Sequence, residues 1–101
     1  MEINITTQGT ETVATLVGRL DTPASLEVAT TFESLKEKAG GTVVLDCQQL
    51  EYIASSGLRL FLTLRKAAAD KGGKVIVRAL RPEVRNVFMM TGFLNLFVIE
   101  Q

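Results

Sequence analysis

Histidine and tryptophan are absent from this 101-residue chain, cysteine occurs once and tyrosine once. Each absence closes a class of function. Without histidine there is no Ser-His-Asp or Cys-His nucleophile system. With a single cysteine there is also no zinc site built from His and Cys. No internal disulfide can form, and Cys47, at the end of the run Thr42-Val43-Val44-Leu45-Asp46, reads as a small buried hydrophobe in a reducing compartment. No apolar run approaches the roughly 20 residues that a bilayer-spanning helix needs. The start, Met-Glu-Ile-Asn-Ile-Thr-Thr, lacks the basic and then apolar profile of a signal peptide. A cytoplasmic protein without membrane insertion is expected.

Formal net charge is also zero. The balance is uneven along the chain, however. Residues 1–50 carry three Lys/Arg and seven Asp/Glu, whereas residues 51–101 carry eight and four. The basic residues are spread singly with no aromatic interleaving, which reads as solvated helix faces and not as a nucleic-acid surface. Hydrophobic residues make up 47% and charged residues 22%, an ordinary globular composition. A chain of this length buries roughly 65% of its unfolded surface, enough for one domain over residues 1–101.

The hydrophobic pattern alternates between two periods. Ile3 and Ile5, the turn signal Gln8-Gly9-Thr10, and Val13, Ala14, Leu16 and Val17 up to Gly18 predict a β-hairpin. A helix start follows: Asp21 or Thr22 can cap, and Pro23 suits the first helical position. Leu26, Ala29, Phe32 and Leu35 recur at helical spacing until Ala39-Gly40-Gly41. Thr42 to Asp46 predicts a strand buried on both faces. A broad-faced helix (Leu58, Phe61, Leu62, Leu64, Ala68, Ala69) runs from the Ser55-Ser56-Gly57 region to about Lys71, stopped by Gly72-Gly73. Lys74–Ala79 predicts another strand. Arg81-Pro82-Glu83 starts a third helix, carrying Val84, Val87 and Phe88 and ending near Thr91-Gly92, and Leu96–Ile99 predicts the last strand. The order is ββαβαβαβ, an α/β fold whose short connections require parallel pairing with right-handed crossovers.

Candidate chemistry is sparse. Among the carboxylates Asp21, Asp46 and Glu51, a capping role and a strand end account for the first two. The Gly40-Gly41 and Gly72-Gly73 pairs follow helices and stop them, whereas phosphate-cradling loops place glycines before a helix. Only Ile53-Ala54-Ser55-Ser56-Gly57-Leu58 has that polarity. Two readings of it stand side by side. Ser55 or Ser56 caps the helix by accepting a backbone N–H, or an exposed hydroxyl there receives a phosphoryl group. A helix start suits that anion, because free N–H groups and the helix dipole favour negative charge. Arg59 can meet such a phosphate at i+4 spacing or lie solvated.

Three stretches together resemble the STAS domain family in its anti-sigma-factor antagonist type. Gly18-Arg19-Leu20-Asp21 resembles its Gly-x-Leu-Asp, and Ile53-Ala54-Ser55-Ser56-Gly57-Leu58 its Asp-Ser-Ser-Gly-Leu phosphorylation motif. Arg81-Pro82-Glu83-Val84-Arg85-Asn86-Val87-Phe88, followed by Thr91-Gly92-Phe93, resembles its third-helix pattern. The resemblance implies a strand–helix superhelix, a mostly parallel curved sheet with helices packed against it. It implies a non-enzymatic protein that binds an anti-sigma factor which is also a serine kinase, and that a serine phosphatase resets. Ser55 is then the phosphorylation site, with Ser56 as substitute, and the partner surface comprises Asp21, Thr22, Ala54, Ser55, Ser56, Gly57, Leu58 and Arg59. Ala54 stands where the family carries an acid. That departure sustains an alternative, a non-phosphorylated STAS interaction module such as a subunit of a lipid-transport ATPase or of a larger signalling assembly. Neither reading calls for a cofactor, a catalytic residue or a metal, and a monomer or weak dimer is expected. The terminal helix of longer relatives is expected to be missing.

Overall fold

The computed structural model describes residues 1–101. Its elements are β1 (Glu2–Gln8), β2 (Glu11–Leu20), α1 (Thr22–Glu37), β3 (Thr42–Ile53), α2 (Ser55–Lys71), β4 (Lys74–Arg78), α3 (Pro82–Met90), a 3-10 turn (Phe93–Leu96) and β5 (Val98–Glu100). They form one sheet in the order β1-β2-β3-β4-β5. The first pair is antiparallel and the other three are parallel. Gly9, the first residue of the two-residue hairpin loop, has φ of 59°, where a tight hairpin turn needs a positive φ.

The register explains how one core forms. Ala14, Leu45 and Val77 lie opposite one another on β2, β3 and β4, and all are fully buried. Phe32 of α1, Phe61 of α2 and Phe88 of α3 join that same core, so the three helices cover one face of the sheet. Phe61 is its centre, with ring centroids 5.8 Å from Phe32 and 5.8 Å from Phe88, in stacked and edge-on contacts. On the opposite face Thr15, Asp46, Arg78 and Glu100 align across four strands, and Arg78 pairs with Asp46 at 3.4 Å. No helix is long and apolar enough to cross a membrane.

Three details differ from the sequence pattern. Both β2 and β3 run further than their apolar runs, to Leu20 and Ile53, with register shifts between Thr15 and Val17 and between Gly18 and Arg19. The shifts break strict alternation, which conceals the strand ends in the sequence. Leu26 is 78% exposed. The buried stripe of α1 is Ala24, Ser25, Val28, Phe32 and Leu35, and Leu26, two residues before Val28, points about 200° away from it. Leu96 closes a 3-10 turn, so the last strand begins only at Val98. Gly92, left-handed at φ of 78°, ends α3 and redirects the chain into that turn.

Candidate functional site

β2 and β3 end side by side, with Leu20 opposite Ile53, and each chain then turns directly into a helix. The Ala54 N–H donates to the Leu20 carbonyl at 2.9 Å, carrying the strand pairing to the last residue before α2. The two helix starts are therefore held at one end of the sheet. Asp21 caps α1: its Oδ1 accepts from the Ala24 N–H at 2.9 Å. Thr22 is consequently the first helical residue and Pro23 the second.

The start of α2 is built differently. Its N-cap is Ala54, and no side chain caps the helix. Neither Ser55 nor Ser56 takes the capping role, because both already lie inside the first turn. Their side chains take divergent paths. Ser55 is exposed, and its hydroxyl bonds to no protein group. Ser56 turns toward α1 and donates to Ser25 Oγ at 3.0 Å. Ser25 in turn donates to the Asp21 carbonyl at 2.8 Å. This chain of hydroxyls joins the first turns of the two helices.

Gly57 and Leu58 are buried, so they seat α2 and present no side chain to a partner. A Cβ at Gly57 would stand 2.8 Å from Leu20 Cγ and 2.9 Å from Ile53 Cγ1. Glycine is what lets the helix start approach both strand ends. Arg59 is exposed and makes no ion pair. Its side chain is available one turn beyond Ser55.

Two further residues escape a reading by motif. Arg19 and Tyr52 are paired across β2 and β3, and the guanidinium lies 4.4 Å from the Tyr52 ring centroid. That contact fixes a cationic group on the strands that lead into both helix starts. The only sequence signal is that each residue shortly precedes a helix; the pairing follows from the β2–β3 register. Leu26 adds an exposed apolar side chain one turn after Thr22.

The remaining candidates have structural roles. Asp21 is a cap and Asp46 pairs with Arg78 on the other face of the sheet. No three His, Cys, Asp or Glu side chains gather where they could hold a metal ion. Cys47 is fully buried. Burial raises its thiol pKa far above the ordinary value, and the neighbouring Asp46 carboxylate adds to the effect.

Comparison with known proteins places this geometry in context. The sequence profile of the STAS domain matches residues 2–101. A Bordetella bronchiseptica protein classed as an anti-sigma factor antagonist, BtrV, is 32% identical over 87 residues, covering 86% of this chain and 75% of BtrV. The fold is shared with SpoIIAA, an anti-sigma factor antagonist, in its unphosphorylated form (TM-score 0.74, 19% identity, 99% of this chain and 87% of that one). The phosphorylated Bacillus form gives a TM-score of 0.75, with 20% identity over 99% of this chain and 91% of that one. An anti-sigma factor antagonist from Mycobacterium paratuberculosis superimposes with a TM-score of 0.85 at 17% identity, covering 98% of this chain and 84% of its own.

Proposed function

The chain belongs to the STAS domain family, and on that premise we propose that it is an anti-sigma-factor antagonist switched by phosphorylation of Ser55. Unmodified, it binds an anti-sigma factor that is also a serine kinase. The contact surface takes in Asp21, Thr22, Ala54, Ser55, Ser56 and Arg59, with Leu26 beside them, over the buried support of Gly57 and Leu58. The observation that carries the reading is the Ser55 hydroxyl, exposed and unbonded at the first position of a helix with no side-chain cap.

Such a hydroxyl is open to attack a nucleotide. Its oxygen bonds to the γ-phosphorus of ATP, the bond to the β-phosphate oxygen breaks, and ADP leaves. The hydroxyl proton goes to a base of the kinase, since this chain has no histidine to take it. The product carries about −1.5 to −2 charges at pH 7. First-turn N–H groups without a side-chain partner and the positive end of the α2 dipole favour that anion. The fold therefore tolerates the modification, while a partner seated over the helix start meets bulk and charge where a hydroxyl had been. A serine phosphatase restores the binding form.

Incubation with the kinase and ATP, followed by intact-mass measurement and peptide mapping, tests the proposal. One phosphate on Ser55 is expected, and none on Ser55→Ala. An unmodified wild-type chain would sink it. Ala54 favours a second reading, because its methyl group offers Ser55 no neighbouring carboxylate. In that reading the chain is a constitutive module, for instance in a lipid-transport ATPase. Recovery of a transporter ATPase subunit in pull-downs, with no serine kinase, is its signature.

A further inference from the structure

The two adjacent serines at the start of α2 are chemically alike, yet they stand in different surroundings. Ser25, only 6% exposed, accepts the Ser56 hydroxyl at 3.0 Å and commits its own proton to the Asp21 carbonyl at 2.8 Å. We propose that Ser25 is the specificity-determining residue of this site: by engaging Ser56 as a bridge between α1 and α2, it leaves Ser55 as the one serine that can carry a phosphate. This rests on the reading of the helix start as a phosphorylation site and adds a reason why one of two neighbouring hydroxyls is used.

Proton accounting supports the assignment. Ser25 has a single hydroxyl hydrogen, and it goes to Asp21. The hydrogen between the two serine oxygens must then belong to Ser56. Esterification of Ser56 removes that hydrogen and sets negatively charged phosphate oxygens against the lone pairs of Ser25. It also forces a group with three added oxygens between two packed helices. Relief requires the Ser56 side chain to swing out, which leaves the buried Ser25 oxygen without a donor. Ser55 meets none of these obstacles: no bond breaks, and solvent lies over its oxygen.

Phosphoserine installed during translation by codon suppression, at position 55 or at position 56, tests this without any kinase. Each form is made in the wild-type background and in Ser25→Ala, and thermal unfolding is measured. Phosphoserine at 55 is expected to leave the melting temperature within about 2 °C in both backgrounds. Phosphoserine at 56 is expected to lower it by about 5 °C or more in the wild type, and by less than half as much in Ser25→Ala. A general packing role for Ser25 would move both positions alike; selective coupling to position 56 is the signature of the proposal. Equal tolerance at 55 and 56, or a penalty at 56 that Ser25→Ala leaves unchanged, would overturn it. If phosphoserine at 56 prevents folding, recovery of the fold by Ser25→Ala supports the proposal and failure in both backgrounds overturns it. A chain that no kinase modifies would defeat the functional reading above and leave these melting temperatures unaffected.

Discussion

Gly57 lies against Leu20 so closely that a methyl group on it would stand 2.8 Å from Leu20 Cγ. Leu20 is fully buried at the end of β2 and cannot step aside without disturbing the core. Gly57→Ala therefore combines a favourable change in helix propensity, about 1 kcal/mol, with overpacking of about 1–3 kcal/mol. A net loss is expected, read as a lower urea midpoint with an unchanged slope. A more stable Gly57→Ala would show that α2 can shift away from the strand ends.

The two helix starts differ in their caps, and substitution exposes the difference. Asp21→Ala removes the acceptor of the Ala24 N–H and is expected to cost about 1 kcal/mol. Ala54→Asp supplies α2 with the side-chain cap it lacks and is expected to gain about 1 kcal/mol. For a chain of this size each change moves the melting temperature by about 4–8 °C, downward in the first case and upward in the second. Opposite signs in one calorimetric series are the check.

Burial of Cys47 makes stability depend on pH at the alkaline end. The folded thiol pKa is raised, by desolvation first and by Asp46 second, above the unfolded value of about 8.5. The unfolded chain thus releases a proton that the folded chain retains. The thiol's contribution is fully present below about pH 8.5 and is lost as pH rises further, at up to about 1.4 kcal/mol per pH unit. Denaturant titrations at neutral and alkaline pH should show a steeper loss in wild type than in Cys47→Ala. Native protein should resist thiol reagents that label it at once in denaturant.

The proposed switch makes binding depend on charge at the exposed serine. Ser55→Asp keeps the fold, because an acid in the first turn of a helix is favourable. It is expected to weaken the complex with the proposed anti-sigma kinase partner more than tenfold, over about 1.4 kcal/mol. Titration calorimetry with wild type and variant measures this directly, and an unchanged affinity would remove the switching mechanism.

Much of this architecture was legible in the residues because strands and helices alternate with different hydrophobic periods. Gly72-Gly73 and Thr91-Gly92 mark helix ends in the sequence and in the structure alike. The exact lengths of β2 and β3 were not legible, since register shifts place Arg19, Gln49 and Tyr52 in ladders that no simple alternation describes. Leu26 reads as core from its spacing of threes with Ala29, Phe32 and Leu35, but the buried stripe of α1 runs through Ser25 and Val28 and leaves it outside. At the proposed site, the motif marks the turn into α2 without revealing how its serines divide. That division depends on Ser25, 31 positions earlier, and only the packing of α1 on α2 brings it into reach. The exposed arginine on Tyr52 was hidden because the β2–β3 register, and not the local sequence, pairs the two residues.

The order of strands across the sheet is also their order along the chain, from β1 at one edge to β5 at the other. Each strand has its successor as a neighbour, so no strand has to pair across another that is still to be made. During synthesis the hairpin can form first, and each later helix and strand finds its docking edge already made. The serine-bearing turn emerges near the midpoint of that process. By then α1, with the capping aspartate and the hydroxyl that receives Ser56, is already outside the ribosome to meet it.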